Sequence, residues 1–167
     1  MKLAYSINYN TKEEITMSYV ETIEIVKLQL LDKKNNKLGY IKNNGTGGDS
    51  TMRIVEDEGE ATVFNVQTYD KNSKDISDPS YYQLKENHKY YLDVHLHPTN
   101  LLKQKLFADK PHLSVSTSSI ASWVLGSDGY LTTRIGGISL GKREGNDDLF
   151  GVPSKADALI VKAITVK

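Results

Sequence analysis

With 167 residues, 38% hydrophobic and 25% charged, the chain has the make-up of an ordered globular protein rather than a disordered one. Its 21 basic residues balance 21 acidic ones, and zero formal net charge argues against a nucleic-acid binder, which carries a basic excess or stripe. There is no cysteine, which rules out disulfides, thiolate metal sites and cysteine nucleophiles, and no apolar run approaches the roughly 20 residues needed to span a bilayer.

The hydrophobic period is two almost throughout. Leu3, Tyr5, Ile7 and Tyr9 alternate with small and polar residues, which predicts a strand close to residue 1. Thr11 and Glu14 make a capping-box pattern, so Thr11–Glu21 is a candidate helix. From Thr22 to Leu31, Val26, Leu28 and Leu30 fall on one face with Lys27 and Gln29 opposite. Ile23 and Ile25 break that alternation and predict a bulge near Ile25–Val26 or burial on both sides. A turn from Asp32 to Gly39 leads back into Tyr40–Ile41.

The glycine-rich run Asn43–Ser50 reads as a loop, followed by strands at Thr51–Val55 and Ala61–Tyr69. Lys71–Ser80 (KNSKDISDPS) reads as a polar loop. Tyr81–Leu84 and His88–His97 are expected to form a hairpin across Lys-Glu-Asn. The run Asn100–Asp109 suits a short amphipathic helix. Leu113–Ser118 and Ile120–Leu125 read as strands, and Asp128-Gly129 marks a tight turn into Tyr130–Ile135. Gly141–Lys155 reads as a loop before a final strand, Ala158–Val166. These elements predict one mainly β domain over residues 1–167, an antiparallel β-sandwich of jelly-roll type with at most one or two short helices.

Three of the four histidines lie in His88–Asn100 (HKYYLDVHLHPTN), two of them in an HxH step. On a strand, Tyr91, Asp93, His95 and His97 share one side, while Tyr90, Leu92, Val94 and Leu96 share the other. A mid-strand HxH offers two imidazoles to a metal, but the carboxylate and glycine that follow such a step in cupin-type barrels are absent. A metal needs three or four converging donors. The preferred reading is therefore a strand with a core face and a half-solvated reverse.

The other candidate motifs are also incomplete. Asp70, Asn72, Asp75 and Asp78 resemble a calcium loop, yet Lys74 takes the fifth position and Asp75 the sixth, where an EF-hand needs a donor and a glycine. The acidic run from Glu56 to Glu60 reads as a charged hairpin turn. No GxSxG elbow and no phosphate-binding glycine loop is present. The sequence thus assigns no catalytic residue, no metal ligand and no cofactor.

Ten tyrosines against one tryptophan and three phenylalanines is a bias toward amphipathic aromatics. Tyr81, Tyr82, Tyr90 and Tyr91 sit on the two arms of one hairpin. The candidate ligand-binding residues are accordingly Tyr81, Tyr82, Tyr91, Asp93, His95 and His97. Near-zero net charge and strands reaching from Leu3 to Val166 lead to the expectation of a non-enzymatic structural subunit, extracellular or particle-associated, that binds copies of itself or a partner subunit. A lectin-like glycan-binding module is the alternative; neither nucleic acid nor membrane insertion is expected. The last strand carries Leu159, Val161 and Ala163 on one face and Ile160, Ile164 and Val166 on the other. It is therefore expected to be covered on both sides and structurally central.

Overall fold

The long strand β1, Glu21–Leu31, organises the rest of the chain. Its Val26, Leu28 and Leu30 are fully buried, as the alternation predicts, and each contributes about 1.5–3 kcal/mol of apolar burial. The computed structural model describes residues 21–44, 50–68, 72–78, 80–86, 90–94, 102–106, 121–134, 136–142, 145 and 148–166. The predicted strands Leu3–Tyr9 and Leu113–Ser118 lie outside the described residues, as do the helix expected over Thr11–Glu21 except for its last residue, and most of the glycine loop.

After β1 come β2 (Lys37–Asn43), β3 (Ser50–Val55), β4 (Val63–Thr68), β5 (Gln83–Glu86) and β6 (Tyr90–Val94). β7 (Leu102–Leu106), β8 (Trp123–Leu125), β9 (Leu131–Thr133), β10 (Ser139–Lys142), β11 (Leu149–Val152) and β12 (Ile160–Thr165) complete the order. The helical residues among those described are two short 3-10 turns, Glu58–Glu60 and Lys155–Asp157. The chain is mainly β, with two antiparallel sheets, consistent with the sandwich expected from its period. No described helix is long and apolar enough to cross a membrane.

The larger sheet runs β12-β1-β2-β3-β7-β6-β5-β4 and then curls back, because β4 also pairs with β1. β1 pairs with β12 along one edge, from Val26 to Leu31. Its other edge is divided: the first half takes β4, the second takes β2. The seam between β4 and β2 is closed by Thr62, whose N–H donates to the Ile41 carbonyl (3.0 Å) and whose Oγ1 accepts the Asn43 N–H (2.8 Å). The smaller sheet runs β11-β10-β9-β8. Single bridges join the two: Tyr82 to Trp123, Arg53 to Asp148, Tyr130 to Ile160 and Gly141 to Ala158. Between them lies one apolar core that includes Leu28, Ile41, Phe64, Leu84, Leu92 and Trp123.

Two irregularities in β1 and β2 explain misplaced apolar residues. The bulge expected at Ile25–Val26 sits earlier, between Thr22 and Glu24, where Ile23 is the extra residue opposite β4 and turns to the core. Ile25 is left 42% exposed. A second register shift makes Leu38 the extra residue of β2, next to Gly39 at φ 144°. The turn between these strands is held by Asp32, whose Oδ1 accepts the Lys34 and Asn36 N–H groups (both 2.9 Å) while Asn35 takes a left-handed φ of 66°. Those bonds hold the Asp32 carboxyl below its ordinary value.

Three expectations need correction. The segment predicted as the helix Asn100–Asp109 forms the strand β7 over Leu102–Leu106, pairing with β3 and β6. Leu102 and Leu106, four residues apart, fit one side of a strand as well as one side of a helix, and the pairings with β3 and β6 decide between the readings. The expected loop Gly141–Lys155 contains half of a hairpin, since β10 pairs with β11 from Ser139↔Val152 to Lys142↔Leu149. The final strand is the terminal one in its sheet. Val161 is buried beneath it, but its outer face is only half-covered: Ile164 rests on Tyr40, Val55 and Ala61, and Lys162 is exposed.

Candidate functional site

β5 and β6 carry the residues singled out from sequence, so their faces matter. Tyr82, Leu84 and Leu92 are fully buried in the core, with Val94 packed against it. By alternation Gln83, Lys85, Tyr91 and Asp93 lie on the outer face. That face was expected to be half-solvated. It is buried: Gln83 is 3% exposed, Lys85 5%, Tyr91 0% and Asp93 6%. Burial falls away sideways, through the half-buried Asn65 and Gln67 of β4 to Val63 at 36% and Ile25 of β1 at 42%.

The hairpin splits in its middle. Among the described residues β5 and β6 pair at Lys85↔Tyr91 and Glu86↔Tyr90, so Lys85 and Glu86 belong to the strand rather than to the predicted turn. Beyond Lys85 the strands part, and Ala121–Trp123 enters between them. The Tyr82 N–H donates to the Trp123 carbonyl and the Trp123 N–H to the Tyr82 carbonyl, both at 2.6 Å. The indole Nε1 donates to the Leu92 carbonyl (3.1 Å), and the Ala121 N–H donates to Asp93 Oδ1 (2.9 Å). One residue along this antiparallel bridge from Tyr82↔Trp123 brings Gln83 beside Ser122.

The electrostatics of this face are unusual. The Lys85 ammonium lies 5.3 Å from the centre of the Tyr91 ring, and no carboxylate among the described residues pairs with it. Desolvation pushes the Lys85 pKa down and the Tyr91 phenol up to about 12. The Tyr91 hydroxyl donates to Gln67 Oε1 (3.2 Å), and Gln67 Nε2 donates to Thr22 Oγ1 (3.3 Å). Gln83 Nε2 and Ser122 Oγ are buried with no hydrogen-bond partner. Buried polar groups are nearly always satisfied, so two orphans on neighbouring residues, beside a lysine with no ion pair among the described residues, mark this face out.

The remaining candidates scatter. Tyr81 is 37% exposed, with the Arg134 guanidinium 5.6 Å over its ring. Tyr82 belongs to the core, and its hydroxyl donates to the Asp78 carbonyl (3.0 Å). The structure thus brings Tyr91 and Asp93 to one outer face and separates Tyr82 from it. His95 and His97 lie outside the described residues, as do His88 and Asp70.

The two acidic stretches spend their carboxylates locally. Asp78 Oδ2 accepts from the Lys74 and Asp75 N–H groups, Asp75 Oδ1 from Ser77, and Glu24 Oε2 from Ile76, whose side chain plugs the core. Asp57 caps the 3-10 turn through the Gly59 N–H, and Glu58 accepts from the Tyr40 hydroxyl. No group of three or more metal-ligating side chains occurs among the described residues. Comparison with protein-family models, with curated proteins and with solved structures finds no match.

Gln83, Lys85 and Ser122 were not singled out by sequence reasoning. Their one signal is the alternation of Gln83 and Lys85 with the apolar Tyr82 and Leu84, which fixes the face but not its burial.

Proposed function

We propose that this protein is a non-enzymatic structural subunit, part of an extracellular appendage or of a virion- or tail-like particle, that binds copies of itself or a partner subunit through strand addition. The observation that supports this is the outer edge of β12. Near its start that edge is occupied, with the Val161 N–H donating to the Gly129 carbonyl (2.9 Å) and the Leu159 N–H to the Leu140 carbonyl (3.0 Å). The parity set by Val161 points the backbone groups of Ala163 and Thr165 the same way, and there no strand among the described residues meets them. Ala163 and Ile164 are half-buried on opposite faces, so an added strand would find apolar neighbours above and below and only Lys162 as a charged guard.

The test is Thr165→Pro. It removes an outward N–H and leaves the β1 ladder untouched. Light scattering should find the parent associated and the variant monomeric, with melting temperatures within about 2 °C, as for a surface change under ~0.5 kcal/mol. A parent that stays monomeric at every concentration, or a variant that still associates, rejects the proposal. A lectin-like reading has Tyr81 with Arg134 as its aromatic platform, because Tyr82 and Tyr91 are closed to solvent. Glycan-array binding abolished by Tyr81→Ala would favour that reading instead.

A further inference from the structure

The orphaned donors behind β5 and β6 belong to neighbouring residues. Gln83 Nε2 and Ser122 Oγ are both fully shielded and unpartnered, and they belong to residues that the Tyr82–Trp123 bridge makes cross-strand neighbours. Lys85 is the next outward residue of the same strand, about 7 Å along it. Its cation is buried to 5% exposure with an aromatic ring and no described carboxylate beside it. Asp93 lies on the same outer face, and one of its oxygens is taken by the Ala121 N–H. Gln83 and Ser122 thus leave two donors without acceptors beside the Lys85 cation.

We infer that Gln83, Lys85 and Ser122 form the binding site for the carboxylate group of a small organic anion, reached from the β4 side of the face. A carboxylate has two oxygens with about four lone-pair positions and one negative charge. It can take a hydrogen bond from the Gln83 amide, one from the Ser122 hydroxyl and a charge-assisted one from Lys85 together, and those bonds are the strong kind. The way in is the gradient of burial from Lys85 through its cross-strand neighbour Asn65 to the exposed Val63. The lowered pKa of the Lys85 ammonium agrees with a cation held away from both water and counter-charge. This site is independent of association at β12.

The experiment titrates sodium acetate into ¹⁵N-labelled protein at fixed ionic strength, with chloride and phosphate as parallel arms, and follows the Gln83 side-chain amide and the melting temperature. The amide is assigned by its disappearance in Gln83→Glu. Acetate should shift it saturably and raise the melting temperature, and Lys85→Met should weaken the apparent affinity at least tenfold. Gln83→Glu places a carboxylate beside Lys85 within the chain itself, so it should melt above the parent and ignore acetate. That second variant carries the test if Lys85→Met does not fold. Equal responses to chloride and acetate would mean an adventitious ion only and overturn the site. So would an acetate response that survives Lys85→Met, a Gln83→Glu variant that melts below the parent, or saturable binding of phosphate but not acetate. A crystal structure from acetate showing ordered water alone on the three side chains would overturn it too.

Discussion

Gly39 shows how narrowly one position is specified. Its φ of 144° lies where side chains are strained, and a Cβ there would fall on the Val55 carbonyl and within 2.8 Å of Ile54 Cγ2. The β2 bulge at Leu38 requires that backbone, and the bulge lets Leu38 and Ile41 both reach the core. Gly39→Ala should therefore cost about 2–4 kcal/mol in urea unfolding, combining backbone strain with overpacking. Tyr91 makes a different prediction. Its folded pKa of about 12 stands above the ordinary 10.0, so the folded state holds the phenolic proton more tightly than the unfolded one. The stability it supports is complete below pH 10 and drains away as pH rises through about 12. Stability measured from pH 8 to 12 should bend downward above 10, and Tyr91→Phe should make that alkaline limb shallower. The residue scale is also where sequence reasoning stopped short at the candidate site. Tyr91 and Asp93 were legible as one face of a strand. Gln83, Lys85 and Ser122 match no motif, and their burial depends on chain that is remote in sequence. Ser122 meets Gln83 only because β5 and β6 part to admit it.

Among the elements, those with strict alternation were readable from sequence: β1, β3, β4 and β6 fall close to their predicted spans. β7 was misread because five residues with leucines at both ends fit either period, and only pairing with β3 and β6 settles which applies. β10 and β11 were hidden in an expected loop by glycines at 141 and 151. Both glycines are places where another element comes close. A Cβ at Gly141 would meet the Asp157 carbonyl at 2.7 Å, and one at Gly151 would meet Ile138 Cγ2 at 2.7 Å. Hence short strands with glycine inside them can still be core strands. β12 was expected to be central and is peripheral by order, yet its contribution is large. It pairs with six residues of β1, and Ala158, Leu159 and Val161 are buried around it. Deleting Asp157–Lys167 would expose that edge of β1 and remove the bridge from Gly141 to Ala158. The truncated chain should lose its β-sheet circular dichroism at 25 °C rather than melt a few degrees lower.

At the scale of the whole molecule, closure of the large sheet depends on one strand with three partners. β1 meets β12, β2 and β4, so opening any neighbour still leaves it paired with two others. Native-state hydrogen exchange should find its slowest amides from Val26 to Leu30, and its fastest among the described residues in the loop from Asn72 to Asp78, whose backbone is bonded mainly to its own carboxylates. Pairings this distant in sequence, such as Val26 with Thr165, also place the protein among slow-folding β topologies. The wedge of Ala121–Trp123 between β5 and β6 has an optical consequence. The chain's single tryptophan is fully buried there, with its indole N–H on the Leu92 carbonyl, and it directly follows Ser122 in the chain. Its fluorescence therefore comes from one known environment, free of overlap from other indoles. A blue-shifted emission that moves to longer wavelength reports water reaching the split in the hairpin, so the molecule carries its own probe of that split.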